Sequence, residues 1–159
     1  MSLSEKESTV SRIRDYYHNS LSYLTGPLGG TCHFGFTPEN QQFELSSALH
    51  FMEMLLGKKL ALPPGSRVLD GGCGFGRVAK TLSSDPFNLE VVAVDLMKER
   101  LQEAKRYEEV NGVAKKVRLT NGNYCFLPFA DETMDGVYIP LFLQFATSEL
   151  DFSQLSMVS

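Results

Sequence analysis

The chain has 159 residues, 43% of them apolar and 21% charged, and its 19 acidic and 15 basic side chains give a formal net charge of -4. That is enough for one domain with a real core and too little for two; the composition excludes a disordered or fibrous chain, and the acidic balance with scattered Lys and Arg argues against nucleic acid as a partner. No apolar run approaches the ~20 residues that cross a bilayer, no N-terminal signal peptide is recognisable, and Cys32, Cys73 and Cys125 lack the spacing of a metal site, so a cytoplasmic protein with no transmembrane segment and no metal is expected.

The chain opens on a predicted helix. Ser4 and Glu7 make a capping box, and Val10, Ile13, Tyr17, Leu21 and Leu24 recur at spacings of three and four. Glycines and a proline then break the pattern over 25–39, a loop long enough to suggest function. Thr37 as N-cap with Pro38 behind it predicts the start of a second helix, with Phe43, Leu45, Ala48, Leu49, Met52, Leu55 and Leu56 on its apolar face and Gly57 at its end. After the turn signal "LPPGS" the period changes. Strands are expected at 67–70, 90–95, 116–119 and 134–139, and helices at 75–82 and 97–110. Strands alternating with helices predict an α/β fold with a parallel sheet covered on both faces.

The stretch "VLDGGCGFGR" carries the chemistry. A loop at the carboxyl end of a strand is where open α/β sheets bind ligands. Gly72, Gly74 and Gly76 let the main chain bend sharply and approach a ligand where a Cβ would intrude; the alternative is a tight turn that only packs helix on strand. A dinucleotide fingerprint would need a glycine at position 77, which is Arg77. The pattern Asp70-x-Gly72-x-Gly74-x-Gly76 instead resembles motif I of the class I S-adenosylmethionine-dependent methyltransferases.

The resemblance implies a Rossmann-like doubly wound parallel sheet, incomplete at about four strands, behind an N-terminal helical cap. It also implies S-adenosyl-L-methionine as cofactor, with Asp70, Gly71, Gly72, Gly74, Gly76, Asp95, Leu96, Asn123 and Tyr124 as the binding residues. Asp70 would meet the ammonium. Asp95, nineteen residues past Gly76, offers two coplanar oxygens to the ribose hydroxyls, or else serves as an N-cap. Leu96 and Met97 would flank the adenine or belong to the core. The segment "NGNYCFLPFADETMDGVY" resembles the family's stretch between the third and fourth strands, with Asn123 at the adenine edge and a structural role for Asp135.

"GGTCHFGF" resembles, through Gly29, His33 and Phe34, the segment ahead of motif I in sterol 24-C-methyltransferases and related small-molecule enzymes. That implies methyl transfer to a small, sterol- or lipid-like acceptor. His33 and Tyr23 are candidate catalytic residues, and Tyr16, Tyr17, Tyr23, Phe34 and Phe36 either line a pocket for a cationic group or pack the cap. The expected division is a cap over 1–60, a cofactor-binding domain over 61–145 and a tail over 146–159. With four of the family's seven strands present, the chain is expected to be truncated, with an exposed fourth-strand edge open to self-association. Competing expectations are a catalytically inactive cofactor-binding fragment or interaction module, and a nicotinamide oxidoreductase.

Overall fold

In a computed structural model of the protein, the described residues are 44–139 together with 11, 12, 15, 16, 18, 19, 33 and 35–37. Of the expected first helix, residues 11, 12, 15, 16, 18 and 19 are helical; Tyr17, Tyr23, Cys32, Phe34, Phe43 and everything after Ile139 lie outside the described residues.

Helix α1 is Leu45–Leu60, strand β1 Arg67–Gly71, α2 Arg77–Ser83, β2 Glu90–Asp95, α3 Lys98–Val110, β3 Val117–Asn121 and β4 Gly136–Tyr138. The four strands form one parallel sheet in the order β3-β2-β1-β4. Val91, Val92, Ala93 and Val94 form the uninterrupted apolar run of a strand buried on both faces. One face packs Val68, Val91 and Ala93 against Val78 and Leu82 of α2, Leu101 of α3 and Leu56 and Leu60 of α1. The other packs Leu69, Val92 and Val94 under Met134, Leu127 and Phe129. Helices α1, α2 and α3 therefore contribute to one core, while the second face is covered, among the described residues, by the segment between β3 and β4. No helix among the described residues is long and apolar enough to cross a membrane.

Three expected boundaries are corrected. Helix α1 starts at Leu45 with Glu44 as its extended N-cap, not at Thr37 and Pro38. The chain at 35–37 lies across the first turns of the helix, with Phe36 N donating to Ala48 O at 3.0 Å, so it cannot belong to the same helix. Gly57 does not end α1; it is a buried interior position where a Cβ would overlap the Phe87 ring, and the helix runs on to a left-handed C-cap at Ala61 (φ 52°). Helix α2 begins at Arg77 rather than Phe75, because Gly76, its N-cap, has φ 76°. Leu45, expected on the apolar face of α1, is half exposed at 50%.

Candidate functional site

The carboxyl ends of β1 and β2 lie side by side, with Asp70 opposite Ala93 and Gly71 opposite Val94. Beyond Gly71 the chain bends at Gly72, whose φ of +85° is a left-handed conformation that a Cβ would strain. The bend is laced to β2: Gly72 N and Cys73 N both donate to Val94 O, at 2.8 and 3.1 Å, and Gly74 N donates to Asp95 Oδ2 at 2.8 Å. Gly72 and Gly74 are uncrowded among the described residues. Of these, a Cβ at Gly72 would meet Tyr124 Cε1, at 3.8 Å, and one at Gly74 would meet Arg100 Nη1, at 3.9 Å, both ordinary contact distances. Gly76 differs, since its Cβ would press on Ala104 Cβ at 3.3 Å and Glu108 Oε1 at 3.2 Å. It serves the close packing of α2 on α3. Gly71 also faces protein, with Ile139 Cγ1 3.1 Å from its would-be Cβ. The two readings of the glycine run thus divide by position.

Asp70 is fully buried, and neither of its carboxylate oxygens has a hydrogen-bond partner among the described residues. Burial pushes its pKa up to about 8; the nearby Tyr138 hydroxyl pulls the other way without reaching hydrogen-bond geometry, and the charges of Asp95 and Glu108 push it further up. A buried carboxyl with no donor among the described residues is a place that a ligand's cation or donor would stabilise. That property, beside the uncrowded bend at Gly72 and Gly74, fits the ammonium end of the methyl donor that the motif implies.

Asp95 is almost wholly enclosed, and both its oxygens already accept main-chain N–H groups, Oδ2 from Gly74 and Oδ1 from Met97, each at 2.8 Å. It braces the glycine bend, and a carboxylate has lone pairs left for further donors. It is not the N-cap of α3, which is Met97. Met97 is buried and Leu96 half-buried. Asn123 Oδ1 accepts from Cys125 N, two residues on, at 2.9 Å. Tyr124 sits against Gly71 and Gly72, and burial raises its pKa. Asp135 accepts from Arg67 N at 2.7 Å and ties the entry to β4 onto β1. Tyr16 and Phe36 are both half exposed, and Phe36 stacks on Phe51 with ring centroids 5.8 Å apart.

His33 is buried and its Nε2 lies 3.2 Å from Glu53 Oε1. Glu53 was not anticipated. The available signal was its spacing, since Leu49, Glu53 and Gly57 follow at intervals of four on the buried stripe of α1. Arg100 and Glu108, also missed, stand in the same way four residues either side of Ala104 on the buried face of α3. The Arg100 guanidinium lies 5.4 Å from the centre of the Phe75 ring. Burial, then the charge of Glu109, lifts Glu108 to about 7.

Residues 68–156, more than half of the chain, match the family described as a methyltransferase domain, and the chain belongs to that family. With the fold and the motif, this makes it a class I S-adenosylmethionine-dependent methyltransferase by family, and S-adenosylmethionine is the cofactor of that class. Over 107 residues, 65% of this chain and 43% of the relative, it is 36% identical to an S-adenosyl-L-methionine-dependent Diels-Alderase of Neonectria sp. (strain DH2). It is 26% identical over 132 residues to a sterol 24-C-methyltransferase of Yarrowia lipolytica (strain CLIB 122 / E 150), covering 83% of this chain and 34% of that one. The crystal structure of the 4+2 cyclase SpnF shares the fold, with a TM-score of 0.71 at 22% identity over 77% of this chain and 46% of that one. The chain spans less than half the length of each of these proteins.

Proposed function

We propose that the chain binds S-adenosylmethionine at the carboxyl ends of β1 and β2 and serves methyl transfer to a small, sterol- or lipid-like acceptor. The observation that carries this reading is Asp70, a buried carboxyl with no hydrogen-bond partner among the described residues, behind a glycine bend that these residues leave uncrowded. In this reading Asp70 meets the ammonium, and Gly72 and Gly74 admit the amino-acid and ribose part. Asp95 braces the bend and offers its remaining lone pairs to the ribose, with Leu96, Asn123 and Tyr124 around the base. Gly71 and Gly76 keep the neighbouring elements close.

Bound there, the cofactor supplies an electrophilic methyl group on a sulfonium and leaves as a thioether that needs no acid. What remains for the protein is alignment of the acceptor, which is worth several kcal/mol, and a proton acceptor where the acceptor is a double bond. His33 and Tyr23 are the residues proposed for that task. The expected division, with a cap over 1–60, a cofactor domain over 61–145 and a tail over 146–159, is retained as part of the proposal, as are a cytoplasmic location and self-association along the outer edge of β4.

The test is calorimetric titration with S-adenosylmethionine of the wild type and of Asp70→Asn, followed by transfer of a labelled methyl group to a lipid extract. An affinity loss of tenfold or more in the variant is expected; equal affinity in the two proteins would overturn the reading. A second reading is favoured by the 36% identity to a Diels-Alderase. In it the cofactor binds but its methyl group stays in place, so tight binding with no labelled product in any fraction points there or to an inactive cofactor-binding fragment.

A further inference from the structure

Glu53 is 1% exposed at the centre of a cluster in which only His33 has so far been given a role. On Oε1 it receives Arg77 Nε at 2.6 Å and faces His33 Nε2 at 3.2 Å; on Oε2 it receives Thr81 Oγ1 at 2.7 Å and faces His50 Nδ1 at 3.4 Å. Four polar groups converge on two oxygens, an arrangement suited to an ionised carboxylate, which can only accept. Burial by itself would raise its pKa, but the hydrogen bonds of His33, Thr81 and Arg77, with the Arg77 charge, outweigh it and hold the group at about 2. It follows that His33 Nε2 donates.

The place of the cluster matters as much as its chemistry. Arg77 directly follows Gly76, so the carboxylate facing His33 is anchored to the first turn of α2, at the end of the glycine bend. The charge of Glu53 also acts on Tyr138, the neighbour of Asp70. His33, Thr81 and Arg77 all help to hold Glu53 ionised. For the imidazole the contact has a further consequence, because a carboxylate on one ring nitrogen selects tautomer and orientation together.

We propose that Glu53 is a positioning residue that holds His33 in its Nε2–H form against the start of α2, at the ligand end of the sheet. Its consequence for catalysis rests on the methyl-transfer reading; the tautomer does not. Two-bond 1H–15N correlation spectra of the 15N-labelled full chain, at a pH where His33 is neutral, read the tautomer directly, with His33→Gln identifying the signal among the three histidines. The wild type should show the Nε2–H pattern. Glu53→Gln should keep it, since Arg77 cannot accept and so keeps the amide oxygen on its own side, facing His33. Glu53→Ala, or Glu53→Met where the alanine variant does not fold, should lose it.

An Nδ1–H or averaged pattern in the wild type, or an unchanged pattern in the alanine or methionine variant, overturns the proposal. The wild-type spectrum decides where neither variant folds. Calorimetry with S-adenosylhomocysteine on the same samples separates the two ideas: failure of the wild type to bind removes the methyl-transfer reading and leaves the tautomer result standing.

Discussion

Asp70 joins burial, acidity and position in a single residue. Its folded pKa of about 8 stands above the ordinary value of 3.8, so between about pH 4 and 8 the folded chain keeps a proton that the unfolded chain has lost. Stability of the ligand-free protein therefore falls as pH rises through that window, by an amount of order 5 kcal/mol for this group alone. Glu108, raised from 4.5 to about 7, acts with the same sign. Glu53, lowered to about 2, acts with the opposite one, and its contribution is complete above pH 4.5 and lost toward pH 2. Urea denaturation against pH should show the decline, and Asp70→Asn should flatten most of it; an unchanged slope in the variant would mean that Asp70 ionises freely in the fold. A cationic ammonium beside Asp70 favours the ionised form. Binding of S-adenosylhomocysteine at pH 6.5 should then release about one proton in the wild type and far less in Asp70→Asn, measured by calorimetry in buffers of different ionisation enthalpy.

At the scale of elements, the ends of the helices decide where the site residues stand. Helix α2 starts at Gly76 because that position combines a left-handed backbone with the close approach of α3. Gly76→Ala should cost about 2 kcal/mol, from the strained φ and the crowding at Ala104 and Glu108 together. Helix α1 ends in the opposite way, with an exposed alanine doing what glycine does more cheaply. Ala61→Gly should therefore stabilise by about 0.5 kcal/mol, the relief of left-handed strain exceeding the larger entropy of the unfolded chain. Denaturation midpoints of the two variants check both signs. The strands at 90–95 and the helix near 98–110 were legible from the sequence to within a residue, because apolar runs and helical spacing are local signals. The start of α1 was not. Thr37 and Pro38 carry the local signature of a helix start, yet the chain at 35–37 is held across α1 through the bond between Phe36 and Ala48, a tertiary contact that no local rule contains.

At the scale of the molecule, the sheet brings the tips of β1 and β2 together and three helices close one of its faces. A ligand that binds only this assembled arrangement stabilises the whole chain by mass action. S-adenosylhomocysteine at a hundred times its dissociation constant should contribute about 2.7 kcal/mol, which for a chain of this size is a rise in melting temperature of roughly 5–10 °C. A scan showing no shift at saturating ligand would argue against a preformed site.

The order of strands and helices, the family and the Asp70 to Gly76 motif could be read from the chain, because each is written in neighbouring residues: apolar runs, turn residues, and glycines at alternate positions after an acid. The fates of individual side chains in that motif could not. Among the described residues Gly72 and Gly74 are uncrowded while Gly76 is pressed against α3; Asp95 spends both oxygens on main-chain donors; and Glu53, one acidic letter among apolar ones, becomes the hub of His33, Arg77 and Thr81. These outcomes depend on which distant groups share a buried space, and burial is what turns a charge from a solvated ornament into a group that must find partners or change its protonation.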